Sequence, residues 1–234
     1  MKQDGQAALA IQLLGRFRVS VNGNWLEDSR WPRPQAKLLV KLLTLEPRHH
    51  LHQQQIIDVI WPNLDPDSGI ANLHKIIHLA RRALEPKLKS AANSRFIQTH
   101  QQQVRLTTPG DLWIDVDEFE ARSIRAFRSE VVSDCEEALS LYEGDLLSED
   151  LYVDWCNRRR DRLQAVYQEL LMKLGTVYAK NGQHKSAITQ FEKLTAAQPS
   201  NEEAHRELMR LYVLTGRRSE GLRQFRRCFE AGPS

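Results

Sequence analysis

Residues 65–85, DPDSGIANLHKIIHLARRALE, decide how the chain is read. The spacing predicts a capped helix with two unlike faces. Asp67 or Ser68 can accept a hydrogen bond from the first free backbone N–H groups. Ile70, Leu73, Ile77, Ala80 and Leu84 recur at steps of three and four, which places them on one apolar stripe. Ala71, Lys75, His78 and Arg82 fall on the opposite face, with Asn72, His74 and Arg81 at its margins. Pro86 stops the helix. A half-buried helix with a basic, hydrogen-bonding outer face suits a DNA major groove, although taken alone it also fits a solvated surface helix.

The neighbouring stretches strengthen the first reading. Leu9, Ile11 and Leu13 alternate with other residues, and Phe17, Val19 and Val21 do so again after Gly15, which permits a bend. Asn22-Gly23 suits a two-residue hairpin turn, so residues 9–27 read as a small antiparallel sheet. Trp31-Pro32-Arg33-Pro34 breaks that pattern, and Pro34 sits well in the first turn of a helix over 35–45. A second helix over 52–60 turns Ile56, Ile57 and Ile60 inward and closes at Trp61-Pro62. With the helix after Asn63–Ser68, these make a helix-turn-helix core. Residues 95–99 and 104–106 then read as two strands joined by His100–Gln103, a wing with a long, polar, acid-free tip able to lie along phosphates. Leu112-Trp113-Ile114 is a candidate last strand for the small sheet.

Pro109-Gly110 marks a boundary between domains at 1–110 and 111–234. Phe119, Ile124, Phe127, Val131, Cys135, Ala138, Leu139 and Tyr142 fit two packed helices, and 144–152 an acidic connection. A long helix over 154–180 follows, and its Arg158-Arg159-Arg160-Arg162 cluster reads as a solvated or acid-paired face. Leu174, Tyr178, Gly182, Phe191, Ala197 and Pro199 reappear 34 residues later as Leu208, Tyr212, Gly216, Phe225, Ala231 and Pro233. That period, with Gly between two helices and Pro after the second, is the tetratricopeptide pattern. Ala187, echoed by Gly221, reads as the small residue that lets paired helices approach. Such repeats leave a groove for a protein partner, and a helix over 218–231 with no polar cap after it points to cover by other helices, by a partner, or by a longer chain.

Composition narrows the function classes. Residues 1–110 hold 15 Lys/Arg against 8 Asp/Glu, a net +7, whereas residues 111–234 carry a net −4. A polyanion would meet the first half only. The sequence holds no apolar run long enough for a membrane span and no signal-peptide pattern. Cys135, Cys156 and Cys228 are far apart and fit a reducing cytoplasm. His49, His50 and His52 lie in a turn without metal-ligand spacing, and no phosphate loop, nucleophile elbow or paired carboxylates stand out. No enzyme, cofactor or metal is expected.

The whole order resembles the bacterial transcriptional activator domain regulators, including the Streptomyces antibiotic regulatory proteins. The residues that carry the resemblance are 13–19, LLGRFRV, with Asn22-Gly23; Ile60-Trp61-Pro62; 71–75, ANLHK, through 80–84, ARRAL; and Asp115 with Phe119-Glu120. It covers about residues 9–231. It implies a mainly α chain with an α+β N-terminal part: an OmpR-like winged helix-turn-helix with a small N-terminal sheet and a C-terminal wing, then an all-α tetratricopeptide-like bundle. It further implies a cytoplasmic activator that binds direct repeats in double-stranded promoter DNA, with a helical domain that contacts RNA polymerase or regulates the DNA-binding half. Longer relatives of this type add ATPase and repeat domains. Family members carry Ser-Arg-Leu-Arg-Arg late in the recognition helix where this chain has His78-Leu79-Ala80-Arg81-Arg82, so their base contacts are not carried over.

Lys75 and Arg82 head the candidate DNA contacts, since both can reach guanine edges or phosphates. Asn72 can read adenine, and His74, His78 and Arg81 complete the helix set, Arg81 with the alternative of pairing with an acid. Lys37, Lys41, Arg48, Arg95 and Arg105 are phosphate candidates, joined by His100, Gln101 and Gln102 at the wing tip. The competing reading is a tetratricopeptide interaction scaffold whose winged helix does not bind DNA specifically. Either way the expected state is a monomer or weak dimer, able to pair on DNA.

Overall fold

The computed structural model describes residues 7–90, 93–150 and 154–230. The chain divides into two compact units, Met1–Asp115 with Leu147–Trp155, and Val116–Leu146 with Cys156–Ser234. The expected boundary at residue 110 therefore moves. A strand after Pro109-Gly110 stays in the first unit, and a later segment returns to it.

The first unit opens with β1 (Leu9–Gln12), β2 (Arg18–Val21) and β3 (Asn24–Trp25). β1 pairs antiparallel with β2 (Ile11 opposite Val19) and parallel with β7 (Leu112–Ile114; Ile11 opposite Ile114), giving the order β3-β2-β1-β7. Asn22 and Gly23 have φ of 50° and 78°, as the hairpin turn requires. The alternation read along β1 is incomplete: Ala10 is as buried as Leu9 and Ile11, because a central strand is covered on both faces. The buried Asp115 carboxylate accepts the Leu13 and Leu14 N–H groups, both at 2.8 Å, and so ties the end of β1 to the residue after β7. Leu147 and Ser148 donate to the carbonyls of Leu13 (2.8 Å) and Gly15 (3.0 Å), which brings the returning segment onto the same place.

α1 (Pro34–Leu45) starts with its proline in the first turn and buries Leu39, Val40, Leu42 and Leu43. α2 (Gln53–Ile60) and α3 (Pro66–Leu84) follow. The N-cap of α3 is Asp65, which accepts the Ser68 N–H at 3.0 Å, and not Asp67 or Ser68. Pro66, with its fixed φ and no N–H, is already suited to the first helical position. The buried stripe is Gly69, Leu73, Ile76, Ile77, Ala80, Arg81, Ala83 and Leu84, and Ile70 is exposed. The close approach to α2 explains this: a Cβ on Gly69 would sit 2.8 Å from Ile57 Cγ2, so Gly69 holds the place given to Ile70.

His50–His52 is a strand, β4, and not only a turn. It pairs with β6 (Gln103–Leu106), which pairs with β5 (Ile97–His100), in the order β4-β6-β5. The wing tip is correspondingly tight. Gln101 and Gln102 alone connect the strands, with φ of 45° and 62°, in place of the longer His100–Gln103 loop.

The second unit is all helical: α4 (Asp115–Arg128, its first residue shared with the first unit), α5 (Val132–Leu139), α6 (Asn157–Lys180), α7 (His184–Ala197), α8 (Glu202–Leu214) and α9 (Arg218–Glu230). Tyr142 stacks on Tyr167 (4.2 Å between centroids) and tilts against Phe119 (5.3 Å). Ile124, Phe127 and Val131, expected to pack, are exposed. Of the arginine cluster, Arg159 pairs with Glu120 at 2.6 Å as anticipated for an acid-paired face. Arg160 is instead buried, donating to the Leu146 carbonyl at 2.9 Å and to Asn157 Oδ1 at 2.6 Å.

The 34-residue period recurs atom for atom at the helix ends. Gly182 (φ 73°) donates to Ala179 O and Gln183 to Tyr178 O. Gly216 (φ 78°) donates to Val213 O and Arg217 to Tyr212 O. Each left-handed glycine caps its helix and reverses the chain. Ala187 is fully buried on α7, and a tight approach also occurs at Gly175, where a Cβ would lie 2.8 Å from the Phe191 ring; at Gly221 it would meet Tyr212 Cβ at an ordinary 3.7 Å. Ala231 and Pro233, the last two repeat positions, lie outside the described residues, as do residues 1–6 of the N-terminal stretch and Tyr152 of the acidic connection.

Candidate nucleic-acid interface

α3 separates its side chains sharply. His74, Lys75, His78 and Arg82 are exposed and Asn72 is half-buried. No Asp or Glu occurs between Ser68 and Leu84, so the outer face is basic and amphiphilic without a competing carboxylate. Beside it, Pro32 and Arg33 from the loop before α1 complete a groove of about 520 Å³ with His74, Lys75, His78 and Leu79. Arg33 is exposed. Sequence reading missed it because the Trp31–Pro34 run signals only a break; its place beside Lys75 depends on how α1 packs on α3.

Arg81 corrects the expected site. It is buried, and its Nε donates to the Ile97 carbonyl at 2.8 Å while a terminal nitrogen lies 3.3 Å from Thr99 Oγ1. Burial pulls the guanidinium below its ordinary value, and the nearby Glu85 charge acts in the opposite direction. Arg81 is a strut between α3 and the edge strand of the wing, and its guanidinium is not presented on the outer face. One step along the helix, Arg82 turns out to solvent, because successive residues are about 100° apart. Glu85, next after the helix, takes the other side of the joint. Its buried carboxylate accepts from Ser94 Oγ (2.7 Å), the Arg95 N–H (3.1 Å) and Arg95 Nε (3.1 Å). Arg95 is exposed, but this pairing holds its guanidinium.

Two more phosphate candidates are placed elsewhere. Lys41 is buried, ion-paired with Asp150 and 5.1 Å from the Phe17 ring centroid, so it is a core residue. Lys37 is largely covered and donates to Asp28 at 2.8 Å, a bond that holds the Asp28 carboxyl below its ordinary range. Both charges are already neutralised within the unit. Arg48 and Arg105 are exposed, as are His100, Gln101 and Gln102.

The wing tip is anchored to the start of α2. Gln53 N–H donates to the Gln102 carbonyl at 2.8 Å. His52 caps α2, its Nδ1 accepting the Gln54 N–H at 3.2 Å, while its Nε2 lies 3.1 Å from Gln102 Oε1. With Nδ1 an acceptor, the proton sits on Nε2 and is donated to Gln102. The histidine run thus serves the β4 strand and the wing. Among the described residues no group of three or more His, Cys, Asp or Glu is placed to hold a metal ion, and no helix is long and apolar enough to cross a membrane.

A helix-turn-helix flanked by a small sheet and a braced β-hairpin defines a winged-helix protein, here with a tetratricopeptide-like second unit. Residues 114–231 match the model of the bacterial transcriptional activator domain, and the chain belongs to that family, of the type that includes the Streptomyces antibiotic regulatory proteins. It is 24% identical over 216 residues to the regulatory protein AfsR of Streptomyces griseus, a match covering 92% of this chain and 22% of AfsR. Its fold is similar to that of Mycobacterium tuberculosis EmbR, solved in complex with a low-affinity phosphopeptide. The TM-score is 0.68 at 18% identity, covering 94% of this chain and 58% of the EmbR chain. The chain thus spans under a quarter of AfsR's length and somewhat over half of the EmbR chain.

Proposed function

We propose that this protein is a cytoplasmic, sequence-specific DNA-binding regulator, an activator of bacterial promoters. The exposed face of α3 enters the major groove, the β5–β6 wing lies on the backbone, and the helical unit contacts RNA polymerase or another protein partner. One observation carries the reading: α3 presents Lys75, His78 and Arg82 outward on an acid-free face, while its own Arg81 and Glu85 fix the wing beside it. A rigid pair of elements suits simultaneous groove and backbone contact. Asn72, His74 and His78 are the base-reading set, and Arg33, Arg48, Arg95 and Arg105 the phosphate set. Lys75 and Arg82 serve both, each neutralising a phosphate beside the base edge that it reads. Family membership supports the regulatory role, and the direct-repeat target of the family supports two copies side by side on DNA.

The test is selection of binding sites from random duplexes with the full chain, followed by titration of the selected duplex against salt. Enrichment of one motif, with affinity falling steeply as salt rises, is the expected result. Lys75→Ala combined with Arg82→Ala should abolish the preference and lower the log–log salt slope by about 2. No duplex affinity at low salt would overturn the proposal and leave the scaffold reading.

A further inference from the structure

α3 sorts its aliphatic side chains with one exception. From Leu73 to Leu84 the helix carries five leucines and isoleucines; Leu73, Ile76, Ile77 and Leu84 are buried, and only Leu79 is not. Four residues on from Lys75, Leu79 is turned only about 40° away from it around the helix axis. It sits off the buried stripe and lines the groove of about 520 Å³ together with Pro32, Arg33, His74, Lys75 and His78.

The facing wall is fixed from within its own unit. Trp31 sets its ring against buried Phe17, 6.0 Å between centroids, and donates its N–H to the Asp28 carbonyl at 3.0 Å. The Asp28 carboxylate in turn accepts from Lys37 of α1 at 2.8 Å. Arg33 is the N-cap of α1, and its carbonyl accepts the Ala36 N–H at 3.1 Å. Pro32 lies between these two anchors, exposed and with a ring-fixed φ. The loop therefore presents an apolar ring beside Leu79 and an exposed guanidinium next to it.

The groove joins two chemistries. Arg33, His74, Lys75 and His78 can donate hydrogen bonds or pair with phosphate. The side chains of Pro32 and Leu79 hold no donor or acceptor. A polar base edge pressed against them would lose water without gaining a bond, which costs affinity. Of the four bases only thymine sets an apolar group, its C5-methyl, on the major-groove edge. An aliphatic pair inside a cationic rim thus selects a methyl carried on a polyanion.

We infer that Leu79 and Pro32 seat the C5-methyl of a thymine, while Arg33 takes a backbone phosphate beside it. Leu79 is then a specificity-determining residue, an inference that rests on the reading of α3 as the helix that enters the major groove. Lys75 and Leu79 are about 6 Å apart along the helix axis, and bases follow one another at about 3.4 Å along a strand. The thymine falls within about two base pairs of the one whose preference Lys75 sets.

The test uses the full chain and the motif it selects from random duplexes. Each thymine of that motif is replaced singly by deoxyuridine, which keeps O4 and the base pair and removes only the methyl. At one thymine per bound copy, affinity measured by fluorescence anisotropy should fall about fourfold, as for one buried carbon. Leu79→Ala should bind the thymine and uracil duplexes equally at that position and leave the other positions as they were. Leu79→Met, which keeps an apolar reach, should retain the preference for the methyl. Pro32→Ser, at an exposed position, should shrink the same ratio from the facing wall. Equal affinity for uracil at every thymine, a motif without thymine near the Lys75 position, or a methyl effect unmoved by Leu79→Ala would overturn the inference. If selective duplex binding persists without a methyl effect, this inference falls and the DNA reading stands; if no duplex binds at low salt, both fall.

Discussion

Replacing Arg81 by Met separates a strut from a contact. The guanidinium is buried and donates to the Ile97 carbonyl at 2.8 Å, with a longer bond to Thr99. Hydrogen bonds to charged groups contribute about 1.5–3 kcal/mol each. Met restores some apolar packing but leaves the Ile97 carbonyl without this donor, so the expected loss is about 2 kcal/mol. With a urea m-value of about 2 kcal/mol per molar, the midpoint should fall by roughly 1 M. The assay is selective, since all five tryptophans (Trp25, Trp31, Trp61, Trp113 and Trp155) belong to the first unit, and their fluorescence follows that unit alone. At a temperature where the variant stays folded, the salt slope of DNA binding should not change. Lys75→Ala should do the reverse: an unmoved midpoint and a slope lower by about 0.9. A variant Arg81→Met with an unmoved midpoint and a reduced slope would refute the assignment and return Arg81 to the DNA contacts.

Gly175→Ala should destabilise the helical unit by about 1 kcal/mol, because overpacking against Phe191 exceeds the gain in helix propensity. Gly221→Ala, meeting only ordinary contact, should stabilise it by about 0.5–1 kcal/mol; thermal melts at 222 nm on the full chain compare the two. Tyr178 and Tyr212 are each pushed up to about 12, first by burial and then by hydrogen bonds to Glu136 and Glu192. Each phenol is held protonated in the folded state, so its contribution is intact below pH 10 and drains away as pH rises from 10 to about 12. Tyr178→Phe and Tyr212→Phe should flatten stability against pH over that window, as measured by urea unfolding at 222 nm. Arg33→Ala should lower duplex affinity and its salt slope as Lys75→Ala does, whereas Lys41→Met should leave the slope unchanged.

Local and periodic features were legible in the sequence. The Asn22-Gly23 turn, the helix after Pro34, the outward Lys75, His78 and Arg82, and the repeated Tyr and Gly positions all depend on neighbours within a few residues or on a fixed offset. Features that depend on distant parts of the chain were not. Lys41 looks like any helix-surface cation until Asp150, 109 residues away, is seen beside it. Arg81 and Arg82 are adjacent in sequence, and only the position of β5 shows that one faces the wing and the other solvent. The tight wing tip is hidden in the sequence because Gln-Gln carries no turn signal, yet both residues adopt positive φ. Arg33, exposed beside Lys75, and Lys37, Lys41 and Arg81, each held by a partner within the unit, owe their placement to such tertiary packing.

The return of residues 147–150 to the first unit has a practical consequence for dissection. A fragment cut after Asp115 would leave the Lys41 ammonium without its Asp150 carboxylate, and the Leu13 and Gly15 carbonyls without the N–H donors of Leu147 and Ser148. α3 would then ride on a weakened scaffold. A stop codon is therefore a poor scalpel for this protein. A faithful minimal reader needs the 147–155 strip sewn back on through a linker in place of the helices between.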